Sequence, residues 1–206
     1  MAETTAPTTA ATTLHALIRA GAEEATALSS PGGVPLTFGQ LRTLTDRTIA
    51  ALNAQGIGRN DRVGIVLDNG PEMAAAFIAI GAGTTAAPLN PSYKADEFTF
   101  YLSDLNARLL VVAAGSESPA VAVAARLGVP VVRLTPTPEE GAGSFTLSFD
   151  GSAAAPASQG GPAYDALLVV GSSLGVMSGY RFARRAAALE VPIVLMNTGW
   201  SRAEEI

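Results

Sequence analysis

Short, fully apolar runs alternate with segments of helical periodicity along this chain, and few folds are compatible with that alternation. Runs such as RVGIVL at 62–67 and RLLVVA at 108–113 lie between turn residues, and such runs are typical of strands buried on both faces of a parallel sheet. The predicted strands are 62–67, 84–89, 108–113 and 129–134, and the predicted helices between them are 72–81, 95–105 and 120–127. This alternation predicts an α/β protein with a mainly parallel sheet and helices on both faces, a three-layer αβα, Rossmann-like fold.

Two helices are predicted ahead of the first of these strands. Residues 14–27 have helical apolar spacing. Thr37 followed by Gln40 is a capping-box pattern that predicts the start of a second helix. Gly56 with an apolar residue after it predicts where that helix ends.

Composition excludes several classes of function. The hydrophobic fraction is 48% and the charged fraction 15%, which indicates a globular chain. A net charge of -5 argues against nucleic acid and anionic membranes as partners. Without cysteine the chain has no disulfide, no cysteine-ligated zinc and no thiol nucleophile, and its single histidine is His15. No metal site is evident, no apolar run reaches the roughly 20 residues of a membrane span, and the first residues do not resemble a secretory signal, so we expect a cytoplasmic protein.

A change in composition divides the chain. Residues 1–13 are polar and predicted to be a disordered lead, and 14–135 hold the α/β pattern described above. Residues 136–162 are rich in Gly, Ala, Ser and Pro, which predicts a flexible linker. Residues 163–206 then predict a βαβ unit, with strands at 166–170 and 192–196 and a helix at 178–189.

The first part resembles the N-terminal subdomain of adenylate-forming acyl-CoA ligases, most closely those of the oxalyl-CoA synthetase type. The matching pieces are LTFGQL at 36–41, GIGRNDRVGIVLDNGPE at 56–72 and TAAPLNPSYKADEFTFYLSDLNARLLV at 85–111. The resemblance implies a family that activates a carboxylate with ATP and transfers the acyl group to the thiol of CoA. That family's phosphate loop with its following lysine, its adenine and ribose motifs and its catalytic lysine have no match here, and the one lysine present is Lys94. No residue is therefore assigned a catalytic role.

The last part resembles a different family, the C-terminal Rossmann segment of the NAD-dependent sirtuin deacylases. The matching piece is AYDALLVVGSSLGVMSGYRFARRAAALEVPIVLMNTGWSRAEE at 163–205. The resemblance implies that Gly171, Ser172 and Ser173 contact the phosphates and ribose of NAD and that Asn197 contacts the adenosine ribose. Glycine permits close backbone approach, and serine offers hydroxyl and N–H groups. The alternative interpretation is a turn that only connects a strand to a helix, and it is favoured because Gly-Ser-Ser alone is a weak motif. The sirtuin catalytic histidine and zinc cysteines have no counterpart.

Other polar residues have a structural interpretation, and some also have a functional one. Asn90, Pro91 and Tyr93 follow a predicted strand, where ligands of open α/β sheets bind, yet they also suit a turn. Residues 68–71 combine a loop with a helix start. His15 is interpreted as a surface or packing residue.

Two resemblances in one chain suggest a chimera or truncated fusion, in which the βαβ unit docks on the edge of the first sheet. The sequence predicts a fragment of an ATP-dependent acyl-CoA ligase that is inactive alone. The alternatives are a non-catalytic module that binds NAD or an adenine nucleotide, and a scaffold without ligand. A small nucleotide is the expected partner, and exposed sheet edges allow a homo-oligomer.

Overall fold

The computed structural model describes residues 13–149 and the two strands Leu167–Val170 and Ile193–Met196. The helices are α1 (Leu14–Arg19), α2 (Phe38–Ala54), α3 (Pro71–Gly81), α4 (Ala95–Asp104) and α5 (Pro119–Leu127), with a 3₁₀ turn at Pro138–Glu140. The strands are β1 (Thr26–Leu28), β2 (Leu36–Thr37), β3 (Arg62–Val66), β4 (Thr85–Pro88), β5 (Leu109–Ala113), β6 (Val131–Pro136), β7 (Phe145–Phe149), β8 (Leu167–Val170) and β9 (Ile193–Met196).

Five strands form the central sheet in the order β4-β3-β5-β6-β7. The first four are mutually parallel, and β7 runs antiparallel to β6. Short strands β1 and β2 form a separate antiparallel pair ahead of α2. The mainly parallel sheet confirms the predicted α/β class.

Helices cover both faces of this sheet. Successive strand residues point to opposite faces, so Val63 and Ile65 pack with α2 and α3 while Val66 packs with α4 and α5. The same alternation divides β5, where Leu109 and Leu110 belong to opposite cores. The three-layer αβα arrangement is therefore confirmed.

The ends of α2 follow the predicted chemistry. Gln40 N–H donates to Thr37 Oγ1 at 3.2 Å, and Thr37 N–H donates to Gln40 Oε1 at 2.8 Å, which completes the capping box. At the other end Gly56 has φ 74°, and Ile57 N–H donates to the carbonyl of Leu52 at 3.0 Å. A glycine in this left-handed conformation closes the last turn without a Cβ clash.

The first helix is shorter than predicted. The prediction of a helix over 14–27 is wrong beyond Arg19, because the chain turns back and β1 pairs with β2. A Cβ at Gly21 would lie 2.4 Å from the Phe38 ring, so the turn passes against the start of α2 at a distance that only glycine allows. Arg42 of α2 fixes the turn by donating to the carbonyl of Gly21 at 2.9 Å.

The segment predicted as a linker over 136–162 is structured as far as Phe149. Strand β7 pairs with β6 over five residue positions, and Phe145 is 1% exposed. Ala142 N–H donates to the carbonyl of Val34 at 2.7 Å, and Arg47 donates to the carbonyl of Phe145 at 2.7 Å. The linker prediction is therefore wrong for residues 138–149, because an alternating apolar strand there fills the end of the core and offsets its ordering entropy. The remainder of that segment lies outside the described residues.

Strands β8 and β9 pair in parallel, with Leu167 opposite Ile193 and Val170 opposite Met196. They form their own two-stranded sheet, and Cα atoms of β8 lie within 8 Å of Cα atoms of β4. Residues 1–12 of the predicted lead over 1–13, and the predicted helix at 178–189, lie outside the described residues. Thr13, the last residue of that lead, caps α1 by accepting from Ala16 N–H at 3.0 Å.

Candidate functional site

The strand order creates a switch point between β3 and β5. From β3 the chain passes through α3 to β4 on one side, and then returns through α4 to β5 on the other side of β3. The two crossover helices lie on opposite faces of the sheet. Ligands of open α/β sheets bind in the crevice that such a reversal leaves outside the carboxyl ends of the strands. The loops after β3, β4 and β5 are therefore the candidate site.

The loop after β3 leads directly into α3. Asp68, Asn69 and Gly70 are exposed, and Pro71 occupies the first turn of the helix. Ala74 N–H donates to the carbonyl of Gly70 at 3.1 Å. These contacts fit the predicted loop and helix start, and they leave the Asp68 and Asn69 side chains exposed at the carboxyl edge.

The loop after β5 is tied to the neighbouring strand β6. Ala114 N–H donates to the carbonyl of Leu134 at 2.7 Å, and Arg133 Nη1 donates to the carbonyl of Ser116 at 3.1 Å. Ser118 then caps α5 by accepting from Ala120 N–H at 3.2 Å. Arg133 brings a guanidinium to this edge, and sequence reasoning did not select it. The sequence feature that could have identified Arg133 is a single charged residue inside the otherwise apolar run VVRL at 131–134.

The loop after β4 is a hydrogen-bonded turn. Ser92 N–H donates to Asn90 Oδ1 at 2.9 Å, and Tyr93 N–H donates to the carbonyl of Asn90 at 3.1 Å. Lys94 N–H donates to Glu97 Oε2 at 2.9 Å, and Lys94 is the N-cap residue of α4. The Asn90 side chain is thus engaged within the turn, which favours the turn-forming interpretation over ligand contact.

Tyr93 packs its ring on a buried neighbour. The ring stacks on Tyr101 with centroids 5.1 Å apart and meets Phe98 edge-on at 5.8 Å. Burial, followed by a hydrogen bond with Tyr101, raises the pKa of Tyr93 to about 12. A phenol with so high a pKa stays neutral, which suits a packing role and makes it a poor general base at pH 7.

A groove of about 610 Å³ opens beside the turn that follows β6. Its lining residues come from the turn between α1 and β1, the end of β2, the first half of α2 and the β6–β7 turn: Glu23, Glu24, Thr37, Gly39, Gln40, Thr43, Leu44, Arg47, Glu140 and Ser144. Arg47 and Gln40 already bind backbone carbonyls of the β6–β7 turn and β7, and Arg47 lies 3.7 Å from Glu140. The groove is polar, but these side chains hold the β6–β7 turn in place.

His15 belongs to a surface cluster between α1 and α2. Its Nε2 lies 3.0 Å from Asp46 Oδ1, and Arg19 lies 3.3 Å from the other Asp46 oxygen. All three side chains are more than a third exposed. The cluster fits the predicted surface role of His15.

The four residues predicted to contact a nucleotide, Gly171, Ser172, Ser173 and Asn197, lie outside the described residues. The strands that precede them are described. Gly171 follows the last residue of β8 in the chain, and Asn197 follows the last residue of β9.

Over residues 13–149, no group of three or more acidic or histidine side chains is arranged to hold a metal ion. Within the part of the chain that the structure describes, every helix is too short or too polar to cross a membrane.

Comparison with known proteins decides the family. The sequence profile of the AMP-binding enzymes matches residues 17–178, more than three quarters of the chain. This chain belongs to the AMP-binding enzyme family. The match passes the predicted boundary at 135 and includes β7 and β8, so the family region is longer than the first resemblance indicated.

Two of the curated relatives are named as CoA ligases. A probable CoA ligase, CCL9 of Humulus lupulus, is 34% identical over 140 residues, which cover 66% of this chain and 26% of that protein. The oxalate–CoA ligase of Arabidopsis thaliana is 39% identical over 111 residues, which cover 53% of this chain and 22% of that protein. The chain therefore spans about a quarter of the length of these relatives.

Solved structures agree on the fold. Apo MatB from Rhodopseudomonas palustris matches with a TM-score of 0.54 and 21% identity, over 68% of this chain and 30% of that chain. VinN matches with a TM-score of 0.51 and 22% identity, over 58% of this chain and 31% of that chain. At this identity the likeness shows the shared αβα fold.

Proposed function

We propose that this chain carries the N-terminal α/β part of an ATP-dependent acyl-CoA ligase and does not adenylate a carboxylate by itself. The observation that carries the proposal is the family match over residues 17–178, which spans the sheet, its helices and β8. Electrostatic stabilisation of the transferred phosphate charge needs aimed N–H donors and a cation. The one lysine, Lys94, starts α4 beside a hydrogen-bonded turn, and no second lysine exists to serve a phosphate loop.

In this proposal the chain retains weak binding of an adenine nucleotide at the carboxyl edge of its strands. Gly171, Ser172 and Ser173 contact the phosphates, as backbone N–H groups and hydroxyls after a strand do in other phosphate sites. Two observations support this placement. The residues lie inside the family match, and they follow β8, whose all-apolar sequence is typical of a buried parallel strand.

The parallel pairing of β8 with β9 favours a second candidate, a non-catalytic NAD-binding unit. Val170 lies opposite Met196, so Gly171 and Asn197 leave paired strands at the same end. A phosphate contact at Gly171 and a ribose contact at Asn197 could then be made to the same NAD molecule. ATP remains the first candidate, because the family match includes Gly171 to Ser173 and ends before Asn197.

Calorimetric titration of the full chain with ATP, and separately with NAD, tests both candidates. The double variant Ser172→Ala, Ser173→Ala should weaken ATP binding, whereas the control Ser103→Ala, an exposed residue near the C-terminal end of α4, should leave it unchanged. Binding of NAD alone, lost in Asn197→Ala, would replace the ligase proposal with the dinucleotide one. If neither nucleotide binds at millimolar concentration, both candidates fail and the scaffold interpretation stands.

Catalysis is tested in parallel by ATP–pyrophosphate exchange with a panel of short carboxylates that includes oxalate. We expect no exchange above a chain-free control. Robust exchange that depends on the carboxylate would contradict the proposal, because it would show that this chain alone forms an acyl-adenylate.

A further inference from the structure

We infer that β8 adds to the outer edge of β4 in parallel, so that β9-β8-β4-β3-β5-β6-β7 form one sheet. The inference concerns an interaction surface within the chain and is independent of nucleotide binding. It rests on the backbone of β4, on the sequences of β8 and β9, and on their position next to β4.

The outer edge of β4 offers a small, defined set of hydrogen-bonding groups. Thr85 N–H donates to the carbonyl of Asp61, and Leu89 N–H donates to the carbonyl of Ile65. In a parallel ladder alternate residues face one neighbour, so Thr85, Ala87 and Leu89 face β3. Ala86 and Pro88 therefore face outward. Because proline has no N–H, the edge presents one donor at Ala86 and the two carbonyls of Ala86 and Pro88.

Two strands with the sequences of β8 and β9 are too few to bury their own apolar residues. Their sequences are LLVV and IVLM, apolar at every position, which is typical of parallel strands covered on both faces. A two-stranded sheet is marginal in water and leaves both outer edges open. An apolar pair of this kind is stabilised by joining a larger sheet.

β8 lies next to β4, at the edge of the five-stranded sheet. Cα atoms of β8 lie within 8 Å of Cα atoms of β4, while neighbouring strands in a sheet are about 4.8 Å apart. β4 is an edge strand of the five-stranded sheet, and its other side is already paired with β3. A parallel addition would bring the end of β8 to the same edge as the loops after β3 and β4, where we place the candidate site.

Pro88 limits the number of hydrogen bonds that β4 and β8 can form. It removes one donor from a short edge, as proline does on edge strands that resist pairing. We therefore expect a short ladder that uses Ala86 N–H and the carbonyls of Ala86 and Pro88, and that opens more readily than the β3–β4 ladder.

Cysteine crosslinking tests the inference cleanly because the full chain contains no cysteine. Ala86→Cys and Pro88→Cys serve as two anchors, each combined in turn with cysteine at every position of β8. Adjacent strands bring Cα atoms to about 4.4–6.8 Å, the range in which disulfides form. We expect a disulfide within the monomer, and we expect the best β8 partner to shift toward Val170 when the anchor moves from Ala86 to Pro88.

A matched control places the anchor on the opposite edge of the sheet, at Thr146→Cys in β7, where we expect several-fold less crosslinking. Equal crosslinking from Thr146→Cys, or disulfides only between two chains, would overturn the inference. A shift of the best partner toward Leu167 would overturn its parallel direction. Hydrogen exchange of the unmodified chain gives a second readout, since Ala86 N–H should be protected, and exchange at the rate of an unstructured peptide would also overturn the inference.

Discussion

At the residue scale, Arg62 at the start of β3 binds three backbone carbonyls at the amino end of the sheet. Its guanidinium donates to the carbonyls of Leu105 at 2.9 Å, Asn60 at 3.0 Å and Asn106 at 3.0 Å. Asn60 and Asn106 both have positive φ, at 67° and 47°. One arginine therefore fixes two turns whose left-handed backbone conformation is uncommon outside glycine, although asparagine adopts it more readily than most residues.

We predict that Arg62→Ala lowers the free energy of unfolding by about 2 kcal/mol, because hydrogen bonds to a charged donor are lost at three carbonyls. Arg62→Lys should recover only part of this, since a lysine cannot reproduce the planar fork. Urea denaturation measures both changes. Arg108→Ala is the control, because the Arg108 side chain is 53% exposed and lies 3.9 Å from Asp61, so a change within about 0.5 kcal/mol is expected. A similar loss in both alanine variants would contradict the role given to Arg62.

A second residue-scale prediction concerns alkaline pH. The pKa of Tyr93 is raised to about 12 from the model-compound value of 10.0, by burial and then by its hydrogen bond with Tyr101. A raised pKa stabilises the fold fully below pH 10, and this contribution is lost as pH rises from 10 to about 12. The difference in ultraviolet titration between the natural chain and Tyr93→Phe should therefore have a midpoint near pH 12. A midpoint near pH 10 would show that the Tyr93 phenol is not held against Tyr101. The variant Tyr164→Phe is the control for the loss of one tyrosine.

At the element scale, strand β7 tests whether residues 145–149 belong to the core or to a linker. Phe145 is 1% exposed in the core shared with α2 and α3, whereas Ser148 of the same strand is exposed. We predict that Phe145→Ala lowers the free energy of unfolding by about 3–5 kcal/mol, the usual cost of removing a buried aromatic ring. Ser148→Ala should change it by less than about 0.5 kcal/mol. Equal and small effects in urea denaturation would show that residues 145–149 contribute nothing to the core.

How far the sequence predicted these elements depended on the kind of signal each carries. The buried strand at 62–66 and the capping box of Thr37 and Gln40 were predictable, because a continuous apolar run and a local side-chain bond leave unambiguous patterns. Strand β7 was missed because Gly141 and Gly143 next to it suggested a linker, although Phe145, Leu147 and Phe149 alternate with polar residues. Gly143 is needed for packing: a Cβ there would lie 2.4 Å from the carbonyl oxygen of Pro71.

The candidate site was harder to predict than the elements. Residues 68–71 and Asn90 were noticed because they follow strands. Their position at the same edge of the sheet as Ser116 depends on the order β4-β3-β5-β6 and the parallel direction of these strands, and long-range strand order leaves no local pattern. Gly171, Ser172, Ser173 and Asn197 stay predictions that rest on resemblance.

At the scale of the whole molecule, addition of β8 to β4 would make the two parts of the chain unfold together. The single tryptophan lies at position 200, in the part after β9, whereas the five described helices all lie before residue 149. Tryptophan fluorescence therefore reports on the part after β9, and far-ultraviolet circular dichroism includes the five helices of the first part together with the helix predicted at 178–189. If the parts form one sheet, both signals should change at the same urea concentration, as expected of a single cooperative unit.

A core substitution makes this prediction decisive. Phe145→Ala removes a side chain from the first part only, yet in a joined sheet it should lower the midpoint of the tryptophan signal as much as the midpoint of the dichroism signal. Ser148→Ala should move neither. If the dichroism midpoint falls while the tryptophan midpoint stays, the two parts unfold independently. The sheet edge of β4 would then be free, and the apolar strands β8 and β9 would need a different surface to cover them, for which a second copy of the chain is the first candidate to examine by sedimentation.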